Sequence, residues 1–111
     1  MAARNALIAA PPYAVETALK TLGVNIRTAR LRRNLTIDEI GQRVGVGRRA
    51  IMDAEKGKPS TAIVVYVGLL WALDLIDQLA EVASPDKDEE GLALSPARSR
   101  ARRKEALDND F

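Results

Sequence analysis

The chain has 111 residues and a formal net charge of +2; 47% of it is hydrophobic, 29% is charged, and it contains neither histidine nor cysteine. This length fits one small domain with tails and leaves no room for a second core. Without thiols or imidazoles, disulfides, Cys- or His-based metal sites, cysteine nucleophiles and histidine general bases are excluded, so neither a metal, a cofactor nor an enzymatic activity is expected.

The opening residues, 1–12, combine one positive side chain with an apolar run too short for a signal peptide and read as a flexible, frayed N-terminus. With one tryptophan, two tyrosines and one phenylalanine, the core that follows must be largely aliphatic. Five helical segments and no alternating strand pattern are expected in an all-α domain over 13–84. The first, Ala14 to Arg33, places Val15, Leu19, Leu22, Ile26 and Ala29 on one face, and Gly23 weakens its middle enough to suggest a joint. The second opens on Thr36-Ile37-Asp38-Glu39, a capping box, and ends near Val44.

Gly45-Val46-Gly47 predicts a tight turn, with Gly45 left-handed and Val46 plugging the core. A third helix from Arg48 to Lys56 is closed by Gly57 and Pro59, and Ser60 suits the cap of a fourth. That fourth helix carries the apolar run Ala62 to Leu73, about a dozen residues against the roughly 20 that span a bilayer, so no membrane association and a cytoplasmic location are expected. Its apolar residues occupy more than one face, which predicts a homodimer packed through Val64, Val67, Leu70 and Trp71. Asp74 is the expected cap of a last helix, Leu75 to Val82. Residues 85–111 alternate acidic and basic blocks and read as a flexible, disordered tail in which Leu107 and Phe111 anchor on a partner; the basic run 98–104 suits either a DNA-contacting arm or a solvated segment.

Charge is unevenly placed. Val24 to Lys58 holds nine bases against Asp38, Glu39, Asp53 and Glu55, whereas Pro59 to Pro85 carries only acids, so a polyanion has one half of the domain to bind. Within that basic half, two helices joined by a tight glycine turn are the arrangement by which a small protein lays one helix in the major groove of DNA. Other motifs fail on a required residue: Gly41-x-x-x-Gly45-x-Gly47 lacks the Lys-Ser/Thr of a phosphate loop, and Asp86-x-Asp88-x-Glu90-Gly91 has Ala97 where a calcium loop needs glutamate.

Over roughly Leu22 to Leu79, Ile26-Arg27, Arg30, Leu35-Thr36, Ile40, Gly45-Val46, Ile51, Glu55-Lys56-Gly57 and Leu70 through Leu73 follow an ordered pattern. In these residues the chain resembles the XRE family of helix-turn-helix regulators, which includes phage repressors and Cro. The resemblance implies a five-helix lambda-repressor-like domain whose third helix reads bases, placing Gly47, Arg48, Arg49, Ala50 and Asp53 nearest the groove floor. Arg48 and Arg49 are the best base readers, since a guanidinium donates two parallel hydrogen bonds to guanine; contacts to phosphate alone are the plainer alternative. Asp53 either accepts from cytosine or pairs with a neighbouring arginine, the latter being favoured.

Thr36, Arg43, Lys56 and Lys58 are candidates for phosphate contact, aided by the N-terminus of the second helix. The resemblance also implies a partly buried structural ion pair between Arg30 and Glu55. The chain departs from the family at Ile37, where glutamine is common, and at Gly47, where a polar cap is common. Together with Pro11 to Glu16, Met52 to Ser60 and the closing Leu107 to Phe111, the pattern is similar to HipB-like regulators. That similarity implies an autoregulatory repressor that binds a palindromic operator in double-stranded DNA and serves as antitoxin to a HipA-type kinase toxin. The rival reading is a protein-interaction module that dimerises and docks a partner enzyme through its tail.

Overall fold

The computed structural model describes residues 5–95, and among these the chain is helical with no strand. Leu107, Phe111 and the basic run 98–104 lie outside the described residues. The described residues divide into two compact units, the first ending at Ile76 and the second beginning at Asp77.

In the first unit, a short helix α1, Ala6–Ala9, stands where a frayed end is expected. Its cause is local: the Asn5 side chain accepts from the N–H groups of Leu7 and Ile8 at 2.9 and 3.3 Å. Helix α2, Tyr13–Arg32, runs unbroken through Gly23, so the expected joint is absent. A Cβ at Gly23 would lie 2.6 Å from the Glu55 carbonyl oxygen, and one at Gly57 would lie 2.5 Å from the Leu19 carbonyl oxygen. These glycines therefore let two backbones touch where a side chain would separate them. The packed face of α2 is Gly23, Ile26 and Arg30; Val15 is exposed, and Leu19, Leu22 and Ala29 are half-buried.

Asn34, at φ 55°, ends α2: Leu35 N–H donates to the Arg30 carbonyl and Asn34 N–H to that of Leu31, at 3.3 and 3.0 Å. Such crossed bonds around a left-handed residue satisfy carbonyls that the last helical turn leaves open. Helix α3, Ile37–Val44, begins with the full capping box and ends at Gly45, which adopts φ 88°. Helix α4, Arg48–Glu55, follows after the turn.

Helix α5, Ile63–Ala72, starts later than its sequence suggests, with Ala62 rather than Ser60 at the cap position. The intervening residues form a turn in which Thr61 N–H donates to the Lys58 carbonyl at 3.0 Å. Tyr66 also donates its hydroxyl to that carbonyl, at 3.3 Å, and burial raises the phenol pKa so that it stays a donor. Asp74 has φ 60° and closes α5 instead of opening another helix: Leu75 N–H donates to the Leu70 carbonyl at 2.7 Å and Asp74 N–H to that of Trp71 at 3.0 Å. The expected last α-helix is instead a 3₁₀ turn, Ile76–Glu81.

Helix α4 packs on α2, α3 and α5, and α3 packs on α5. Ile26, Leu35, Ile40, Ile51, Ala54, Val65, Tyr66, Leu69, Leu70 and Leu73 form the buried core, while Val46, also expected there, and Val44 are half-buried. In the second unit, Pro85–Lys87 forms a 3₁₀ turn and residues 89–95 are helical, although disorder is expected from position 85 onward. Asp88 supplies the reason, because its carboxylate accepts from Gly91 N–H at 3.0 Å as a helix cap. No helix among the described residues is long and apolar enough to cross a membrane.

Candidate nucleic-acid interface

Helices α3 and α4 and the turn between them carry the residues singled out for binding. Thr36 Oγ1 accepts from Glu39 N–H and the Glu39 carboxylate accepts from Thr36 N–H, both at 3.0 Å. The bond from Thr36 lowers the Glu39 carboxyl pKa, so that group stays anionic at the start of α3. Two donors expected to serve a phosphate there are thus already paired with Glu39 and Thr36, although the Thr36 hydroxyl keeps its own proton to donate.

The start of α4 differs. Gly47 is its exposed cap residue and has no side chain to accept from the N–H groups of the first turn. The positive end of the helix therefore meets the surface beside Arg48 and Arg49. Ala50 turns half inward, Arg43 and Lys56 are exposed, and Lys58 is half-buried.

Each arginine has a carboxylate neighbour. Arg48 Nη1 lies 3.2 Å from Asp38 Oδ1 on the adjoining helix. Arg49 Nε lies 3.4 Å from Asp53 Oδ1, one turn further along α4, and Lys58 Nζ lies 3.2 Å from the same oxygen. Asp53 is thus paired with two bases of the same chain, whereas the Arg48 pairing joins two helices and leaves no local trace in the sequence.

Two shallow hollows meet at Arg48. One is lined by Arg48, Arg49, Met52, Asp53 and Lys56, the other by Asp38, Gly41, Gln42, Gly45, Val46 and Arg48. Met52 and Gln42 are additions to the residues singled out above. Helical spacing could have found them, since Met52 follows Arg48 by four positions and Gln42 follows Asp38 by four.

Behind this surface, Arg30 Nε and Nη2 donate to Glu55 Oε2 and Oε1 at 2.7 and 2.9 Å, while Nη1 donates to the Leu35 carbonyl at 2.8 Å. The Glu55 hydrogen bond raises the Arg30 pKa and holds its charge. One guanidinium thereby ties α2, the chain before α3 and the end of α4, which fixes the direction in which α4 presents its other end.

The four residues expected at a dimer interface divide. Val64 and Trp71 are exposed and Val67 is half-buried, at positions i, i+7 and i+3 of one face of α5, but Leu70 is 7% exposed and belongs to the core. Leu70 points inward because the α5 face that includes Tyr66 and Leu69 covers α3 and α4. Ile63, exposed at the start of the helix, extends the outer apolar surface. No protein-family model matches the chain, and no curated protein matches it.

Proposed function

We propose that this chain is a sequence-specific DNA-binding transcriptional repressor of the XRE type, with a lambda-repressor-like helix-turn-helix domain that lays α4 in the major groove. The observation that carries the reading is the start of α4, where two exposed arginines flank an uncapped helix end while Arg30 and Glu55 anchor the opposite end of the same helix. A bidentate arginine–guanine contact discriminates by about 1–3 kcal/mol, and Lys56, Lys58, Arg43 and Thr36 add contacts to phosphate that position the helix without reading sequence.

A homodimer formed through Ile63, Val64, Val67 and Trp71 would read two half-sites of a palindromic operator about one helical turn apart. The narrower role, a cytoplasmic autoregulatory antitoxin to a HipA-type kinase toxin, is supported by resemblance at Pro11 to Glu16, Met52 to Ser60 and Leu107 to Phe111.

The test is fluorescence anisotropy with duplex DNA from upstream of the chain's own gene against scrambled duplex, over a range of salt. Preference for the upstream duplex near physiological salt is the expected result. Equal, weak and steeply salt-dependent binding to both would overturn the reading and leave only a basic surface.

A further inference from the structure

We infer, resting on the DNA-binding reading above, that Asp38 is a positioning residue which orients the Arg48 guanidinium for base reading. The hydrogen bond from Arg48 Nη1 to Asp38 Oδ1, 3.2 Å long, runs from the first turn of α4 to the first turn of α3 and so bridges the two helices of the motif. It occupies one N–H of the five that the guanidinium carries, which leaves a pair of parallel donors for one base.

As an acid in the first turn, Asp38 complements the dipole of α3 but makes no cap bond there. The cap of α3 is completed by Thr36 and Glu39, and among the described residues Asp38 has no side-chain partner besides Arg48. Arg48 lies where the two hollows of the surface meet, with Asp38 and Gln42 on one side and Arg49 and Met52 on the other. A carboxylate at that junction repels phosphate, so it weakens the sequence-independent part of DNA binding. What it supplies instead is direction: once the face closes on DNA, an arginine tied to the neighbouring helix keeps its aim, and leaving for a phosphate would set the acid unpaired against the duplex.

Arg49 is a contrasting case. Its partner Asp53 lies on its own helix, at 3.4 Å, and is shared with Lys58. With its side chain 82% exposed, Arg49 is free to swing toward phosphate. The two adjacent arginines thus take different parts, Arg48 reading and Arg49 anchoring. Both members of the Arg48–Asp38 pair are exposed, so the bond is weak in the free protein; it strengthens when the face closes on DNA and water leaves.

The experiment selects binding sites from a library of random-sequence duplexes, using the full-length wild-type chain, Asp38→Ala, Asp38→Asn, Arg48→Ala and the Asp38→Ala/Arg48→Ala double variant. Wild type should enrich a site with a strongly preferred guanine in each half. Asp38→Ala should weaken that preference at this one position by ~5- to 30-fold, with binding to unselected duplex equal or tighter and the salt slope unchanged. Arg48→Ala should flatten the same position, and the double variant should flatten it no further, because the two residues act as one unit. Asp38→Asn removes the charge at nearly constant shape and guards against a defect in α3 itself; it should show a partial loss at the same guanine. The inference is overturned if the Asp38 variants tighten binding to all duplexes in parallel with the preference intact, or if the double variant loses preference additively. A wild-type chain that enriches no sequence would instead overturn the DNA-binding reading, and this inference with it.

Discussion

Arg30 and Glu55 meet through two parallel hydrogen bonds, of 2.7 and 2.9 Å, with their side chains only 7% and 6% exposed. They lie 25 positions apart in the chain and join the end of α2 to the end of α4. Because a third bond reaches the Leu35 carbonyl, each of the three guanidinium nitrogens has a partner and none is buried unpaired.

Breaking this pair should unfold the domain rather than disarm it. Glu55→Ala leaves a buried, unpaired guanidinium and should cost about 3–5 kcal/mol in urea denaturation. Replacing both residues together by apolar side chains of similar volume should recover most of that loss. An Glu55→Ala variant within about 1 kcal/mol of wild type, a range ordinary for surface ion pairs, would show that the pair carries little.

Gly23→Ala should destabilise, against the usual order of helix propensity. In an exposed helix interior the change gains up to about 1 kcal/mol. Here the new Cβ would meet the Glu55 carbonyl oxygen at 2.6 Å and that of Ala54 at 2.7 Å, so α2 and α4 must part. A loss of about 1–3 kcal/mol is expected, with a matching drop in thermal midpoint.

Asp74→Gly should stabilise. Asp74 holds φ 60° at the end of α5, a conformation that costs an L-residue about 1–2 kcal/mol and costs glycine almost nothing. Offset by the greater freedom of glycine in the unfolded chain, the net gain should be on the order of 1 kcal/mol, or about 4–8 °C in melting temperature. Asp74→Ala should not share the gain, and equal melting temperatures for the two variants would count against a left-handed Asp74.

Glu39 makes the α3 cap sensitive to acid. Its carboxyl pKa is lowered in the folded protein by the Thr36 N–H bond, so the anion favours the fold. That contribution is complete above the unfolded glutamate value of about 4.3 and is lost as the pH falls through the lower folded value. Glu39→Gln should therefore be less stable than wild type at neutral pH, with the gap narrowing toward pH of about 3. A gap independent of pH would mean that the carboxylate charge plays no part.

On α5, the outer and inner apolar residues should separate by phenotype. Val64→Asp with Trp71→Ser should yield a folded monomer by analytical ultracentrifugation, since both side chains are exposed in the single chain. Leu70→Ala should instead lower stability by about 2–5 kcal/mol, as a core truncation does. An unchanged oligomeric state in the Val64/Trp71 variant would remove this face from the dimer proposal.

Periodicity and local chemistry made the helices legible in the sequence. Thr36 with Glu39 marks the start of α3, and Gly45 marks its end, because a capping box and a left-handed turn need only residues within a few positions of each other. Signals of the same kind misled where two outcomes share one residue type: Asp74 suits a helix start as well as a left-handed stop, and only the chain's path after α5 decided between them. Gly23 likewise reads as a weak point, since its neighbour Glu55 is remote in sequence and the close approach of two backbones leaves no local trace.

The candidate surface divides in the same way. The sequence by itself determined which helix begins with two arginines, that Asp53 lies one turn from Arg49, and that the chain lacks the side chains for thiol or imidazole chemistry. The tertiary structure alone decided that Asp38 faces Arg48 and that Leu70 points inward while Val64 and Trp71 point out. Composition and helical spacing specify which residues share a face of one helix; which face meets which depends on how helices cross, and that is settled by the packing of the whole core.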